Sequence, residues 1–382
     1  MCRRWARPFE EVTPLCRRLA RLVKETFRPR LEDAVDLFNY ASDLKYGELH
    51  LKVDPQIELR AIVAIHNLKR GPAIGGCRFI EYGSTDDALQ DAMRLARGMS
   101  YKAAISKLPH GGGKAVIVRP PNLSDEQRER IFSVYGEFVD SLGGKYITCE
   151  DSGTAVSDMD VVAEQTDHVL GTSTAEGGSG DPSPFTAFGV RRGIEAAVKH
   201  RYGRDDLDGL HVSVQGVGHV GYYLAKELHE LGAKLTVTDV NEEAIERCQD
   251  EFGAERVAPE SIYDVDADIF APCALGAILN DETIPRLKCD IVAGASNNQL
   301  AEDRHGAMLL ERGILYAPDY AINAGGLINV AEEYTGYDAD AAREKTSAIF
   351  DTMLAIYERA DKENLPTGVV ADRIVEEELY GE

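Results

Sequence analysis

The stretch that most constrains the fold is Gly216-Val217-Gly218-His219-Val220-Gly221, a G-x-G-x-x-G loop. It follows a β-branched run, Leu210 to Gln215, and opens a helical stretch, Val220 to Leu231. A second β-branched run, Leu235 to Thr238, then ends in Asp239. Strand, glycine turn, helix and strand in that order make the first βαβ unit of a doubly wound sheet. The first glycine permits the tight turn, the second close approach of a pyrophosphate, and the third close packing of helix on strand. Gly216, Gly218 and Gly221, with Val217, His219 and Val220, are therefore candidate cofactor contacts, the phosphate charge resting on the helix N-terminus. Asp239 is placed to accept hydrogen bonds from a ribose diol and would repel a 2′-phosphate. No arginine stands beside it in Val240-Asn241-Glu242-Glu243, so NAD is expected over NADP.

The alternation continues on both sides. Downstream come a helix over Glu242 to Phe252 and strands near Ile269, Ile291 and Ile314, then helical segments through Val330, over Ala341 to Ala360 and over Val369 to Leu379. Upstream, Glu58 to His66, Cys77 to Tyr82, Ala115 to Val118 and Tyr146 to Cys149 read as strands, with a helix over Asp125 to Leu142. Leu89, Ala92, Met93, Ala96 and Met99 recur at helical spacing behind Ser84, a candidate N-cap. A chain of 382 residues exceeds the usual size of one core. The expected fold is α/β in two domains: an N-terminal α/β substrate domain and a doubly wound Rossmann NAD domain, separated by a cleft. The expected bounds are 35–170 for the first domain and 171–335 for the second, with helices of 336–382 packing back across the hinge. Gly171 to Pro184 has hinge composition.

Residues 1–30 carry a net +6, leaving −29 on the rest of a chain whose total is −23. The basic segment, with Leu15, Leu19 and Leu22 at helical spacing, is read as an extension over 1–34 that is not part of the fold. An acidic body disfavours nucleic acid, which needs clustered positive charge. Two readings of that body stay open, adaptation to high salt and an ordinary acidic surface. No run of about twenty apolar residues suggests a membrane span, no secretory leader is visible, and a cytoplasmic protein is expected. The seven cysteines are scattered without a C-x-x-C pair, so neither a disulfide framework nor a metal site is indicated.

Lys102 and Lys114 flank a glycine run, Gly111-Gly112-Gly113, and Glu150-Asp151 follows. Lys102 lies three residues beyond Met99, at the end of the apolar helical stripe, and is expected to point inward. The glycines would let backbone approach a ligand closely, and a desolvated lysine beside another cation has its pKa drawn down far enough to act as a base.

Gly71-Pro72-Ala73-Ile74-Gly75-Gly76, Ala96-Arg97-Gly98-Met99-Ser100-Tyr101-Lys102, Gly111-Gly112-Gly113-Lys114, Glu150-Asp151-Ser152-Gly153-Thr154 and Asn323-Ala324-Gly325-Gly326 form an ordered series. Together they resemble the glutamate, leucine, phenylalanine and valine dehydrogenase family, from about residue 35 to the end. The leucine branch is resembled most, through Val214-Gln215-Gly216, Ile269-Phe270-Ala271-Pro272-Cys273-Ala274-Leu275-Gly276 and Ala317-Pro318-Asp319-Tyr320. The resemblance implies NAD-dependent oxidative deamination of an aliphatic L-amino acid by a homo-oligomer. Lys102 matches the lysine that holds the substrate carboxylate, Lys114 the catalytic base and Asp151 the proton shuttle. Gly75, Gly76, Ile74, Cys149, Leu327 and Val330 are implied at the substrate, and Thr186, Cys273, Ala274 and Asn298 at the cofactor. Glutamate-specific members carry a lysine and a serine at the positions of Ile74 and Val330, and the aliphatic residues here imply rejection of glutamate. Gly221 and Cys149 depart from the alanine usual in the leucine branch. An aromatic-specific dehydrogenase and a catalytically silent NAD sensor remain the alternatives.

Overall fold

The computed structural model describes residues 36–173 and 178–381. The chain divides into a unit ending at Asp43, whose described part is helix α1 (Leu37–Asp43), and a unit from Leu44 onward that holds both sheets. The expectation for residues 1–34 lies outside the described residues, as does part of the expected hinge.

The first domain contains β1 (Glu48–Asp54), β2 (Leu59–Asn67), β3 (Ala73–Ile80), α2 (Thr85–Ile105), β4 (Gly111–Val118), α3 (Asp125–Asp140), β5 (Tyr146–Glu150) and α4 (Val156–Ala163). Its sheet runs β1-β2-β4-β3-β5, with β3 parallel to β4 and β5 and the other pairs antiparallel. Because strand side chains alternate between faces, Ala73, Cys77, Phe79, Ala115 and Ile117 enter one core with Phe132, Tyr135 and Met159 of α3 and α4. Val116 of β4 takes the opposite face and packs with Ala88, Ala92 and Ala96 of α2. Ile74, Gly76, Arg78, Gly112 and Lys114 share the parity of that second face. Ser84 caps α2 as expected, its side chain accepting from the Asp87 N–H at 3.1 Å.

The second domain contains α5 (Ser183–Tyr202), β6 (His211–Gln215), α6 (His219–Glu230), β7 (Lys234–Thr238), α7 (Glu242–Phe252), β8 (Glu255–Arg256), β9 (Ile269–Pro272), β10 (Ile291–Val292), α8 (Arg304–Glu311) and β11 (Leu315–Tyr316). Helices α9 (Asp319–Ile322), α10 (Gly325–Ala331), α11 (Ala339–Ser347), α12 (Ile349–Glu363) and α13 (Thr367–Tyr380) complete it. All its strands are parallel, in the order β11-β10-β9-β6-β7-β8. The chain winds outward from β6 to β8, returns to β9 beside β6 and winds the other way. The switch point therefore lies between the carboxyl ends of β6 and β9, where such sheets bind ligands. Helix α13 reaches the first domain, where the Tyr101 hydroxyl donates to Glu376 at 2.7 Å.

Several elements differ from the sequence reading. Strand β4 begins at Gly111 rather than Ala115, because ladder partners on both sides hold the glycines extended. Strands β1 and β8 and helices α1, α4, α5, α8 and α9 add to the expected set, and the helix expected over Ala341 to Ala360 is two helices meeting at Ala348.

Candidate active site

Lys114 stands on β4 and is 4 % exposed. A buried ammonium needs a partner, since isolated charges are strongly penalised in a protein interior. Its Nζ lies 2.8 Å from Asp151 Oδ1, at the end of β5. The other carboxylate oxygen, Oδ2, accepts from Arg78 Nε on β3 at 3.0 Å. Burial pushes the Asp151 carboxyl up, but the Lys114 and Arg78 cations outweigh it and hold the group below its ordinary range. Gly76 makes this possible: a Cβ there would come within 2.7 Å of the Asp151 Cβ.

Lys102, on the last turns of α2, is partly exposed but crowded by cleft atoms. That desolvation pushes its amine down to about 8, with Lys114 adding in the same direction and Asp319 and Asp151 opposing. Among the described residues, Lys102 thus stands unpaired with any carboxylate at salt-bridge distance, whereas Lys114 is paired with Asp151. A Cβ on Gly112 would overlap the backbone of Ser100, so the missing side chain lets α2 settle on the sheet. This corrects the expectation for the run 111–113. The space the glycines free is filled by protein, not by a ligand: Asn67 at Gly111, Ser100 at Gly112 and the Tyr146 ring at Gly113.

The second domain supplies amides opposite Lys102. Asn297 Oδ1 is 3.5 Å from Lys102 Nζ and accepts from Asn323 Nδ2 at 2.7 Å. Sequence reasoning singled out Asn298, whose φ of 51° is that of a turn former, and missed its neighbour. Asp319, half-buried at the start of α9, accepts from the Gln299 and Tyr320 N–H groups at 2.9 and 2.6 Å. Glu150 is half-buried. Burial and the nearby Asp181 and Asp151 push its carboxyl up, while His219 of the glycine loop draws it down.

Around the glycine loop, Gly216 has φ +93° and a Cβ on it would meet Ala274 at 2.6 Å, so the β6 and β9 ends touch there. A Cβ on Gly221 would overlap the Gly216 carbonyl oxygen, which accounts for glycine at that position. Nothing lies within 4 Å of the corresponding point on Gly218, the residue that caps α6. This open cradle faces the helix N-terminus, as a pyrophosphate requires. Asp239 accepts from the Val217 N–H at 2.7 Å and the Asn241 N–H at 2.9 Å. Among the described residues, Thr238 Oγ1, Ser296 Oγ and Asn323 Oδ1 are buried without a hydrogen-bond partner. These residues fit a dinucleotide: a phosphate cradle, a carboxylate at the ribose position and an orphaned acceptor suited to a carboxamide. Val217 is buried, Val220 packs against the core, His219 is exposed, Cys273 N–H donates to the Gln215 carbonyl, and Thr186 lies beside Gly326.

The apolar candidates all belong to or border the large core that runs through the second domain. Ile74 of β3 and Val330 of α10 belong to one apolar cluster, with Cys149 and Leu327 packed against it. Gly75 is buried on β3, and its carbonyl accepts from the Tyr146 hydroxyl at 2.5 Å. Burial pushes the Cys149 thiol up to about 12, so it carries no charge at neutral pH.

Comparison with known proteins agrees with this architecture. Residues 48–168 match the model of the Glu/Leu/Phe/Val dehydrogenase dimerisation domain, and residues 177–242 and 235–363 match that of glutamate/leucine/phenylalanine/valine dehydrogenase. A leucine dehydrogenase of Thermoactinomyces intermedius is 52% identical over 90% of this chain and 93% of its own. A phenylalanine dehydrogenase of Bacillus thermotolerans is 44% identical over 85% and 86%. The crystal structure of L-tryptophan dehydrogenase from Nostoc punctiforme superposes with a TM-score of 0.80 at 43% identity, covering 90% of this chain and 98% of the other. In sequence and in fold alike, the chain belongs to the glutamate/leucine/phenylalanine/valine dehydrogenase family and is an amino-acid dehydrogenase served by a nicotinamide cofactor.

Proposed function

We propose that this enzyme oxidatively deaminates an aliphatic branched-chain L-amino acid, leucine together with valine and isoleucine, using NAD. The amino acid, water and NAD would yield the 2-oxo acid, ammonium and NADH with release of one proton. The observation that carries the reading is the pairing of buried Lys114 with half-buried Asp151, close to Lys102 and to a core that includes Ile74 and Val330.

In this reading the Lys102 ammonium holds the substrate carboxylate by a charge-assisted contact. When bound, NAD supplies the acceptor for the hydride that leaves Cα. Lys114 takes the proton from the water that attacks the resulting imine carbon, and Asp151 relays a proton to the departing amine. Asn297 and Asn323, facing Lys102, orient the substrate and exclude bulk water from the cleft side. Support for NAD comes from Asp239, whose carboxylate would repel a 2′-phosphate, and from Arg256, which is already paired with Glu242 at 2.6 Å. Support for an aliphatic substrate comes from Ile74 and Val330: burying a glutamate carboxylate against them without a partner costs roughly several kcal/mol. Assembly through the first domain also belongs to this reading, supported by the matched model's description as a dimerisation domain.

A panel of L-amino acids scored by reduced-cofactor absorbance, with NAD and NADP in parallel, tests the proposal. Leucine, valine and isoleucine should be oxidised with NAD, and glutamate should not be. Faster oxidation of phenylalanine or tryptophan than of leucine, or preference for NADP, would overturn it.

A further inference from the structure

Arg78 was not among the residues singled out from sequence, yet it touches the proton relay. Its guanidinium divides its donors between two carboxylates: Nε meets Asp151 Oδ2 at 3.0 Å, and Nη1 meets Asp91 Oδ2 on α2 at 2.8 Å. Asp91 is itself fixed by the Tyr82 hydroxyl at 2.7 Å and by Arg94 Nη2 at 3.1 Å. The result is a chain of alternating charge, Lys114, Asp151, Arg78, Asp91 and Arg94, running from the buried amine to the surface. Both Asp151 oxygens are engaged, one by Lys114 and one by Arg78.

From this geometry we infer that Arg78 is a positioning residue for the reaction: it grips Asp151 Oδ2 so that Oδ1 alone faces Lys114, and it keeps the carboxylate ionised between proton transfers. The inference rests on the proposed roles of Lys114 and Asp151. A planar guanidinium anchored at its far end fixes the orientation of the carboxylate as well as its charge, which a point charge does not do. The other groups around Asp151 are Cys77 on β3, Glu150 and Cys149 on β5, and Lys102 on α2. Burial pushes both thiols far up, so they add no charge. Glu150 adds a like charge, which makes a second cation the more necessary to hold Asp151 ionised.

Removing a positive charge raises the pKa of the proton-carrying groups beside it. In Arg78→Gln the acid limb of the kcat/KM profile for leucine oxidation should therefore move up by about one pH unit or more. At neutral pH kcat should fall roughly tenfold or more, while KM for NAD holds. Arg78→Lys keeps the charge but cannot span both carboxylates. Its acid limb should return to the wild-type position while kcat stays several-fold low. A purely structural role would instead lower kcat by one factor at every pH and shift no limb.

Titration of aspartate labelled with carbon-13 at the carboxyl, with Asp151→Asn identifying the signal, reads the same ionisation without turnover. The result therefore stands even if the wild-type enzyme proves to oxidise something other than leucine, an outcome that would sink the substrate reading alone. Arg78→Gln should displace the Asp151 signal to higher pH, and Arg78→Lys should restore it. If Arg78→Gln does not fold, Arg78→Lys carries the test through its kcat. An unmoved Asp151 titration in Arg78→Gln, or a wild-type kcat in Arg78→Lys, overturns the inference.

Discussion

In the proposed mechanism the residue that matters most after Lys114 is Lys102, whose amine is pushed down to about 8 by burial. The sign is direct: the ammonium is present below that value and is lost as pH rises through it, so the contact with a substrate carboxylate weakens in alkali. Affinity of the free enzyme for a simple carboxylate inhibitor without an amino group should fall about tenfold per pH unit above 8. Inhibition constants measured between pH 7 and 10 check this, and a flat profile would remove Lys102 from carboxylate binding. Cys149 makes a second residue-scale prediction. Its thiol packs against the cluster holding Ile74 and Val330, so Cys149→Ala should enlarge the pocket. Activity on phenylalanine relative to leucine should then rise roughly tenfold or more, the worth of a methylene or two in an apolar pocket. An unchanged ratio would place Cys149 outside the pocket. That Lys102, Lys114 and Asp151 lie near one another was legible in the sequence, through the apolar helical stripe that ends at Lys102, the glycine run before Lys114 and the family resemblance at Glu150-Asp151. Arg78 and Asn297 were not, because their partners lie 73 and 195 residues away. Strand alternation held a clue to Arg78: it shares a face parity with Ile74, Gly76 and Lys114, and only the β3–β4 pairing turns that parity into proximity.

Among the elements, α2 matters most, since it carries Asp91 at one end and Lys102 at the other. Its seat on the sheet depends on Gly112. Gly112→Ala should push the Ser100 turn outward, cost about 1–3 kcal/mol of stability and raise KM for the amino acid more than KM for NAD. Thermal melts and paired KM measurements check both effects; equal changes in the two constants would mean that the helix does not position Lys102. The apolar stripe and Ser84 made α2 legible from its first residue, and Glu242 to Phe252 was read without error because Asn241 and Gly253 mark its ends. The glycine start of β4 was not legible. Glycine carries little strand preference, and only tertiary pairing with β2 and β3 holds it extended. The break between α11 and α12 escaped for a related reason. Ala348 is a strong helix former, and neither glycine nor proline stands there to announce the bend.

At the scale of the whole molecule, the doubly wound sheet followed from one glycine loop and its flanking strands, and that loop lies at the switch point beside β6, where such sheets bind ligands. The charge of −29 beyond residue 30 acts at this scale too. Self-repulsion of so acidic a surface is screened as the Debye length falls from about 10 Å at 0.1 M to about 3 Å at 1 M salt. Tm should therefore rise from 0.1 M to molar KCl. A falling Tm would mean that the surface ion pairs, which salt weakens, outweigh the repulsion. The central claim is that Lys114, held by Asp151 in a cleft with Lys102, carries the chemistry. Leucine-dependent NADH formation, measured side by side for the wild-type enzyme and Lys114→Ala, tests it most directly. The account predicts turnover by the wild type and a loss of roughly a hundredfold or more in the variant, with NAD binding retained. Comparable rates in the two proteins would contradict it.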